Sequence, residues 1–539
     1  MSPEQDKQSG GISRRQFLRA LGMGVVVSGT ASVLPGPAAH AQRAQHRRFV
    51  IPEDQFGRLF PQLRPFAEPS PELNAALMEL GQPGGILDAK DDLAAGPVDL
   101  IADPALSRNN PNSTAHTAGT TFMGQFMDHD MTFDLTSRLG EPTDPRDSTN
   151  TRTPAFDLDS VYGGGPSEDR ELYECMERGH AAKFKIEYGG LFEDLPRSKD
   201  GTAIIADPRN DEHLMIASLH AAFLLFHNKA VDLIEESDHR APQDEVFRQA
   251  RQLTTWHYQW MILHEFLPLF VGQKLVNRIL SQGRRFYRPE EAFMPVEFQG
   301  AVYRFGHSMV RPSYRANLAG DNGNAFFGMI FDPAGEGQAD PVDLRGGARA
   351  PRRFIGWQTF FDFGPTFTDP NSTNPAIRSN KQIDTKLSTP LFNLPRGTIP
   401  APDGPTSLPQ RNLLRHVTWL LPSGQSIARA MNVEALSPAD LSELRGLDQQ
   451  LHLDESTPLW YYVLKEAEVV EHGRQLGPVG SRIVGEVILG LLQLDRHSFL
   501  LVNGRWRPTL PTTSGQVTGE FRMSDFLTFA GVDPASRKQ

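Results

Sequence analysis

Gly124-Gln125-Phe126-Met127-Asp128-His129-Asp130 gathers an amide, an imidazole and two carboxylates into one short stretch. As a helix, with about 100° between successive side chains, it sets Gln125, Asp128 and His129 at i, i+3 and i+4 on one stripe and turns Asp130 onto a neighbouring face. One helix is therefore expected to serve two sites.

Working outward, three pairs repeat the i, i+3 spacing. Arg209 and Glu212 stand where a helix is expected to begin, Arg304 and His307 fall in Tyr303-Arg304-Phe305-Gly306-His307-Ser308, and Asn412 precedes Arg415. Taken singly, such a pair is more often a surface ion pair or a hydrogen-bonded core residue, so the pairs carry weight only together. A fifth cluster, Thr153 to Gly163, alternates the oxygen-bearing side chains Thr153, Asp157 and Asp159, with the Ala155 carbonyl between them. That pattern suits a hard cation taking about six to eight oxygens, with Asp130 adding charge. A solvated acidic turn is the plain alternative.

A length of 539 residues suffices for one large domain or for two or three ordinary ones. The net charge of −11 argues against nucleic acid or an anionic membrane as the main partner and leaves a small or neutral substrate easier to accommodate. Cys175 is the only cysteine, which excludes an internal disulfide and any cysteine-based metal cluster. Its thiol is left to a single intermolecular disulfide or to a free state, and any metal must take His, carboxylate or carbonyl ligands.

The N-terminus, Ser13-Arg14-Arg15-Gln16-Phe17-Leu18, runs into a mildly apolar stretch to Leu34 and then Ala39-His40-Ala41. It resembles a bacterial twin-arginine export signal. This implies recognition by export machinery, removal of residues 1–41 and a periplasmic or secreted product. The apolar run is too short and too rich in Gly and Ser to span a bilayer, and no later span is expected.

Residues 42–100, with scattered Pro and Gly, are expected to form an arm wrapping the body. A catalytic domain is expected over 101–500, and 501–539 as a surface extension. Apolar spacing predicts helices over Glu212–Ile234, Asp244–Phe266 (broken at Leu267-Pro268), Val296–Val310, Arg411–Leu421, Pro458–Glu468 and Val479–Gln493. Between Tyr314 and Gln410 a Gly, Pro, Asn and Asp bias predicts a long irregular excursion, with Asp369–Pro375 as one such stretch.

In order and spacing, Gln-x-x-Asp-His-Asp, Thr-x-x-x-Asp-x-Asp-x-Val-Tyr-Gly, Arg-x-x-Glu, Arg-x-x-His and Asn-x-x-Arg resemble the haem peroxidase–cyclooxygenase superfamily, the animal-type haem peroxidases. Ser218-Leu219-His220, His227-Asn228-Lys229 and Glu265-Phe266-Leu267-Pro268 agree with it. The resemblance covers about residues 100 to 500 and is nearest to bacterial members with short termini. It departs from secreted mammalian members in having no disulfides.

The resemblance implies a mainly α, large single domain around a buried haem b, with long irregular loops and little strand. It implies His307 as proximal iron ligand, His129 as distal base, Arg209 as distal cation and Asn412 as acceptor for the proximal imidazole. Arg304 would face a haem propionate, and Gln125 would hold distal water and border a halide position. Asp128 and Glu212 match two carboxylates that some members esterify to haem. Where some members form a third link through Met, this chain has His213. Calcium is implied at Asp130, Thr153, Ala155, Asp157 and Asp159.

The implied activity is reduction of hydrogen peroxide with oxidation of small phenols, amines or halides. Dioxygenase members carry a radical-forming Tyr three residues before the proximal His. Arg304 occupies that position here, and adjacent Tyr303 is expected to point about 100° away. Fatty-acid dioxygenation is the first alternative, and a non-catalytic binding or adhesion module the second. A hydrolytic metal site at Asp128, His129 and Asp130 is disfavoured, since consecutive helical residues diverge.

Overall fold

The computed structural model describes residues 54–175, 180–189, 192–321, 323–364, 379–398, 404–446 and 451–537. The expectations for the export signal, for Asp369–Pro375 and for the Cys175 thiol lie outside the described residues and side chains.

The fold is mainly helical, and its centre is Leu214–Ser237, a helix of 24 residues. His213 caps it: the ring Nδ1 accepts from the Ile216 N–H at 3.2 Å, satisfying a donor that the first turn leaves open. The helix is apolar over most of its surface because neighbours cover most of it, and only its C-terminal half leaves a stripe of Lys229, Asp232 and Glu236 exposed. It has the length and hydropathy of a membrane-crossing segment, contrary to the expectation that no later run would, yet most of it is buried inside the fold.

Ala118–Met131 packs against this helix, with Phe126 stacked on Phe223 at 4.3 Å between ring centroids. Its entry is tight. Gly119 lies against the Phe361 ring, where any Cβ would collide.

The next helix runs Gln243–Met261 and does not stop at Pro268. It continues through a wide turn at Ile262–Phe266, in which Leu267 N–H reaches back five residues to the Ile262 carbonyl, and then through Leu267–Val271. Pro268 stands in the first turn of that last segment, where a missing N–H costs little.

The expected helix over Val296–Val310 is two pieces. Val296–Gly300 is α-helical, Ala301 breaks it at φ −135° and ψ −72°, and Val302–Met309 is a 3₁₀-helix. With three residues per turn, Arg304 and His307 are eclipsed rather than merely co-facial. Leu408–Thr418, Leu459–Glu471 and Pro478–Leu494 complete the principal helices.

Strands among the described residues form two-stranded pieces. The longest, Ser313–Asp321 paired antiparallel with Asn324–Met329, falls within the excursion expected to be irregular. Its alternation is masked by two register shifts, one on each side of Asn317, which accepts from Gly320 N–H at 2.7 Å and donates to the Phe354 carbonyl at 3.0 Å.

Residues after Asp54 lie along the body. Phe56–Gly57 pairs with Met294–Pro295, and the buried Glu297 carboxylate accepts the Leu59 and Phe60 N–H groups at 2.8 and 2.9 Å. At the other end, Met523–Ala530 is more than a surface extension. Phe526 is fully buried and stacks on Phe226 at 4.2 Å, because the central helix exposes an aromatic face that this segment covers.

Candidate active site

Ala118–Met131 divides its polar residues as helical geometry requires. Gln125, Asp128 and His129 line a cavity of about 1490 Å³, its mouth included, while Asp130 turns away into an acidic cluster. Arg209, Glu212 and His213 enter the same cavity from the segment before the central helix. Arg304 and His307 enter from the 3₁₀-helix, and Arg411 and Arg415 from Leu408–Thr418. Residues distant in sequence, His129, Arg209 and His307, thus share one space.

Arg209 and Glu212 do not sit on an α-helix. Pro208–Asp211 is a 3₁₀ turn capped by Asp207, whose carboxylate accepts the Arg209 N–H at 3.0 Å. The same carboxylate grips the Arg209 guanidinium twice, at 3.0 and 2.7 Å. Arg209 Nη2 also donates to the His129 carbonyl at 3.0 Å, and the guanidinium carbon lies 4.0 Å from the Phe133 ring centroid. Burial opposes charge on Asp207, but Arg209 and its hydrogen bonds outweigh it and hold the carboxyl well below its ordinary range. The cation is therefore fixed and permanent.

Burial, and then Arg209, push His129 down to about 3, so its imidazole is neutral at physiological pH. Its Nδ1 lies 2.8 Å from Asn210 Oδ1. Glu212 is pushed up to about 8, chiefly by burial, which leaves it mostly protonated near neutrality, and Asp128 is raised for the same reason.

His307 is also neutral, lowered to about 3 by burial and then by Arg304. Asn412 meets its Nδ1 at 2.9 Å, but through the amide nitrogen, which donates. The expected acceptor role of Asn412, which iron ligation through His307 Nε2 requires, takes the other orientation of this amide. Arg304, a donor only, approaches Asn412 Oδ1 at 3.5 Å. A half-turn of the amide exchanges the two roles with little change of shape.

Tyr303 lies beside Arg304 on the 3₁₀-helix. It borders the cavity, and its hydroxyl donates to the Gly124 carbonyl at 3.1 Å. On a 3₁₀ turn successive side chains are about 120° apart, so Tyr303 diverges from the Arg304 and His307 stripe at least as far as an α-helix would set it.

The donor set fits a planar, dianionic iron porphyrin. It offers a neutral imidazole, apolar walls that include Phe305, Val310, Leu391 and Leu394, and an excess of guanidinium at Arg304, Arg411 and Arg415. Burial first and Arg415 second lower Arg304 to about 9 and Arg411 to about 10. Arg415 has its own partner in Asp134 at 3.0 Å. Sequence reasoning passed over Asp207, Asn210 and Arg411; the adjacency of the first two to Arg209 was the available signal.

In the acidic cluster, carboxylate oxygens of Asp130, Asp157 and Asp159 lie within 4.8 Å of one another. Asp130 accepts from Leu158 N–H and the Ser160 hydroxyl, both at 3.2 Å. Asp159 Oδ2 accepts Thr153 N–H at 3.0 Å, while its Oδ1 is buried without a hydrogen-bond partner. Burial raises all three carboxyls, mutual repulsion adds to the rise for Asp130 and Asp159, and Asp159 reaches about 7. Such a group fits a divalent cation, which would remove both penalties.

Residues 134–326 match the family model described as animal haem peroxidase. Among curated relatives, peroxidase mlt-7 of Caenorhabditis elegans is 26% identical over 220 residues, covering 38% of this chain and 30% of that protein. Human thyroid peroxidase is 23% identical over 190 residues, covering 32% of this chain and 20% of that protein. These matches span less than a third of each relative's length. Among solved structures, peroxidase A of Dictyostelium discoideum has a TM-score of 0.53 at 15% identity, covering 77% of this chain and 88% of that one. The fatty acid alpha-dioxygenase of Oryza sativa has a TM-score of 0.51 at 15% identity, covering 83% and 81%. The fold is the one these peroxidases and dioxygenases share.

Proposed function

We propose that this chain belongs to the animal haem peroxidase superfamily and is a peroxidase that reduces hydrogen peroxide and oxidises small phenols, amines or halides. The observation that carries the reading is the single cavity shared by His129, Arg209 and His307.

His307 would hold the iron of haem b, with Arg304 and Arg411 facing the propionates and Asp128 and Glu212 available for ester links to the ring. When bound, the haem supplies the two-electron chemistry with peroxide and the one-electron chemistry with the donor. The neutral His129 takes a proton from hydrogen peroxide and returns it to the departing oxygen, which leaves as water. Arg209, immobilised by Asp207, stabilises negative charge on that oxygen where bulk water is partly excluded. Gln125 orients distal water and borders the halide position.

Calcium at Asp130, Thr153, Ala155, Asp157 and Asp159 would hold the Ala118–Met131 helix in register from the side opposite the cavity. With residues 1–41 as an export signal, the mature protein works in the periplasm or outside the cell.

Purified holoprotein should show a Soret band that responds to peroxide. His129→Ala should slow that response by about 10²–10⁴-fold. A fully loaded protein with no response would overturn the reading in favour of a binding module.

Tyr303, bordering the cavity beside apolar walls, supports fatty-acid dioxygenation as a second reading. Hydroperoxide formation from linoleate and oxygen faster than guaiacol oxidation would select it.

A further inference from the structure

Behind His129 stands a residue that the peroxidase mechanism has not used. Asn210 Oδ1 lies 2.8 Å from His129 Nδ1, and Asn210 Nδ2 lies 2.9 Å from His220 Nδ1. All three side chains are buried. An amide oxygen can only accept and an amide nitrogen only donates, so His129 carries its hydrogen on Nδ1 and His220 presents Nδ1 as a lone pair.

The two contacts are coupled. A half-turn of the amide would set its nitrogen against His129 and its oxygen against His220, and both rings would then have to change tautomer. The Asn210 backbone is fixed as well, its N–H donating to the Asp207 carbonyl at 3.0 Å in the turn that also presents Arg209.

We infer that Asn210 is a positioning residue that holds His129 in the Nδ1–H tautomer and leaves Nε2 as the lone pair on the cavity side. His220 is the lock that stops the Asn210 amide from rotating. An imidazole of the other tautomer would present an N–H to hydrogen peroxide and could not take its proton. One short turn thus supplies the fixed cation through Arg209 and the orientation of the base through Asn210. The use made of Nε2 rests on the peroxidase reading; the tautomer itself does not.

The test is nitrogen-15 NMR of histidine-labelled, full-length holoprotein, with the iron kept diamagnetic as the reduced carbon monoxide complex. The His129 signals are assigned by their loss in His129→Gln. Wild type should give a protonated-type Nδ1 and an unprotonated-type Nε2. Asn210→Ala should lose that state, His220→Phe should give a tautomer mixture, and Asn210→Asp, which keeps an acceptor oxygen, should restore Nδ1–H. In parallel, Asn210→Ala should slow the peroxide reaction by about 10–100-fold.

Wild-type protein with the hydrogen on Nε2, or Asn210→Ala with an unchanged tautomer, would overturn the inference. The wild-type spectrum decides even where a variant does not fold. A wild type in the Nδ1–H state that ignores peroxide would sink the peroxidase reading and leave the positioning role of Asn210 standing.

Discussion

His213 Nε2 donates to Gln125 Oε1 across 2.9 Å, while its own Nδ1 accepts from the Ile216 backbone. The bond removes the amide's freedom to flip and aims Gln125 Nε2 at Glu212 Oε2, 3.3 Å away. A residue that caps the central helix therefore also sets the hydrogen-bonding pattern of the cavity wall.

His213→Leu should release that amide. Burial already lifts Glu212 to about 8, and the Gln125 bond is one of the interactions that pull it down. Losing the aimed donor removes a stabiliser of the carboxylate, so the ionisation should move higher still. An infrared pH titration of the carboxyl stretch, referenced to Glu212→Gln, checks this. An unchanged or lower midpoint would count against the chain from His213 to Glu212.

The acidic cluster makes stability depend on pH in a direction opposite to the usual carboxylate case. Asp159 sits at about 7 when folded, with Asp130 and Asp157 also raised, against about 4 for an unfolded aspartate. Between those values the folded chain binds more protons than the unfolded one, so stability falls as pH rises. Chelated protein should therefore lose Tm from about pH 4 to 7, and calcium should raise Tm more at pH 7 than at pH 5. Equal calcium shifts at both would exclude the cluster as the binding site.

Glu297 anchors the N-terminal segment through two backbone N–H groups. Glu297→Leu leaves both without their acceptor at a buried position, which should cost about 1–3 kcal/mol for each donor left unsatisfied. Urea unfolding measures the total, and protease cleavage near residue 60 should quicken.

Arg411 is the cleanest test of anion binding at the cavity rim, since Arg415 is tied to Asp134 and Arg304 approaches Asn412, whereas Arg411 donates to the Pro405 carbonyl at 3.3 Å and has no carboxylate partner within salt-bridge distance among the described residues. Arg411→Ala should weaken haem binding by about 1.5–3 kcal/mol, the range for a charge-assisted hydrogen bond. Haem transfer to apomyoglobin gives the comparison. Unaltered transfer would remove Arg411 from the propionate contacts.

A Cβ at Gly424 would run into the ring of Tyr462, which is fully buried. Gly424→Ala should destabilise by about 1–3 kcal/mol, as overpacking does, although alanine is the better helix former. Thermal unfolding checks the sign.

The sequence by itself determined the division of labour in Ala118–Met131, with Gln125, Asp128 and His129 to one side and Asp130 to another. Helical periodicity is a property of neighbouring residues and needs no tertiary partner. The principal helices were legible for the same reason, as was the mainly helical class. The tertiary structure alone decided that His129, Arg209 and His307 share a cavity, that Asn210 stands behind one imidazole and that Asn412 stands behind the other. It also decided the helical passage through Pro268, the 3₁₀ geometry of Val302–Met309, and the strand pair at Ser313–Met329. Each of these depends on packing and hydrogen bonding between segments far apart in the chain, and no local pattern encodes which distant surface will meet a given side chain.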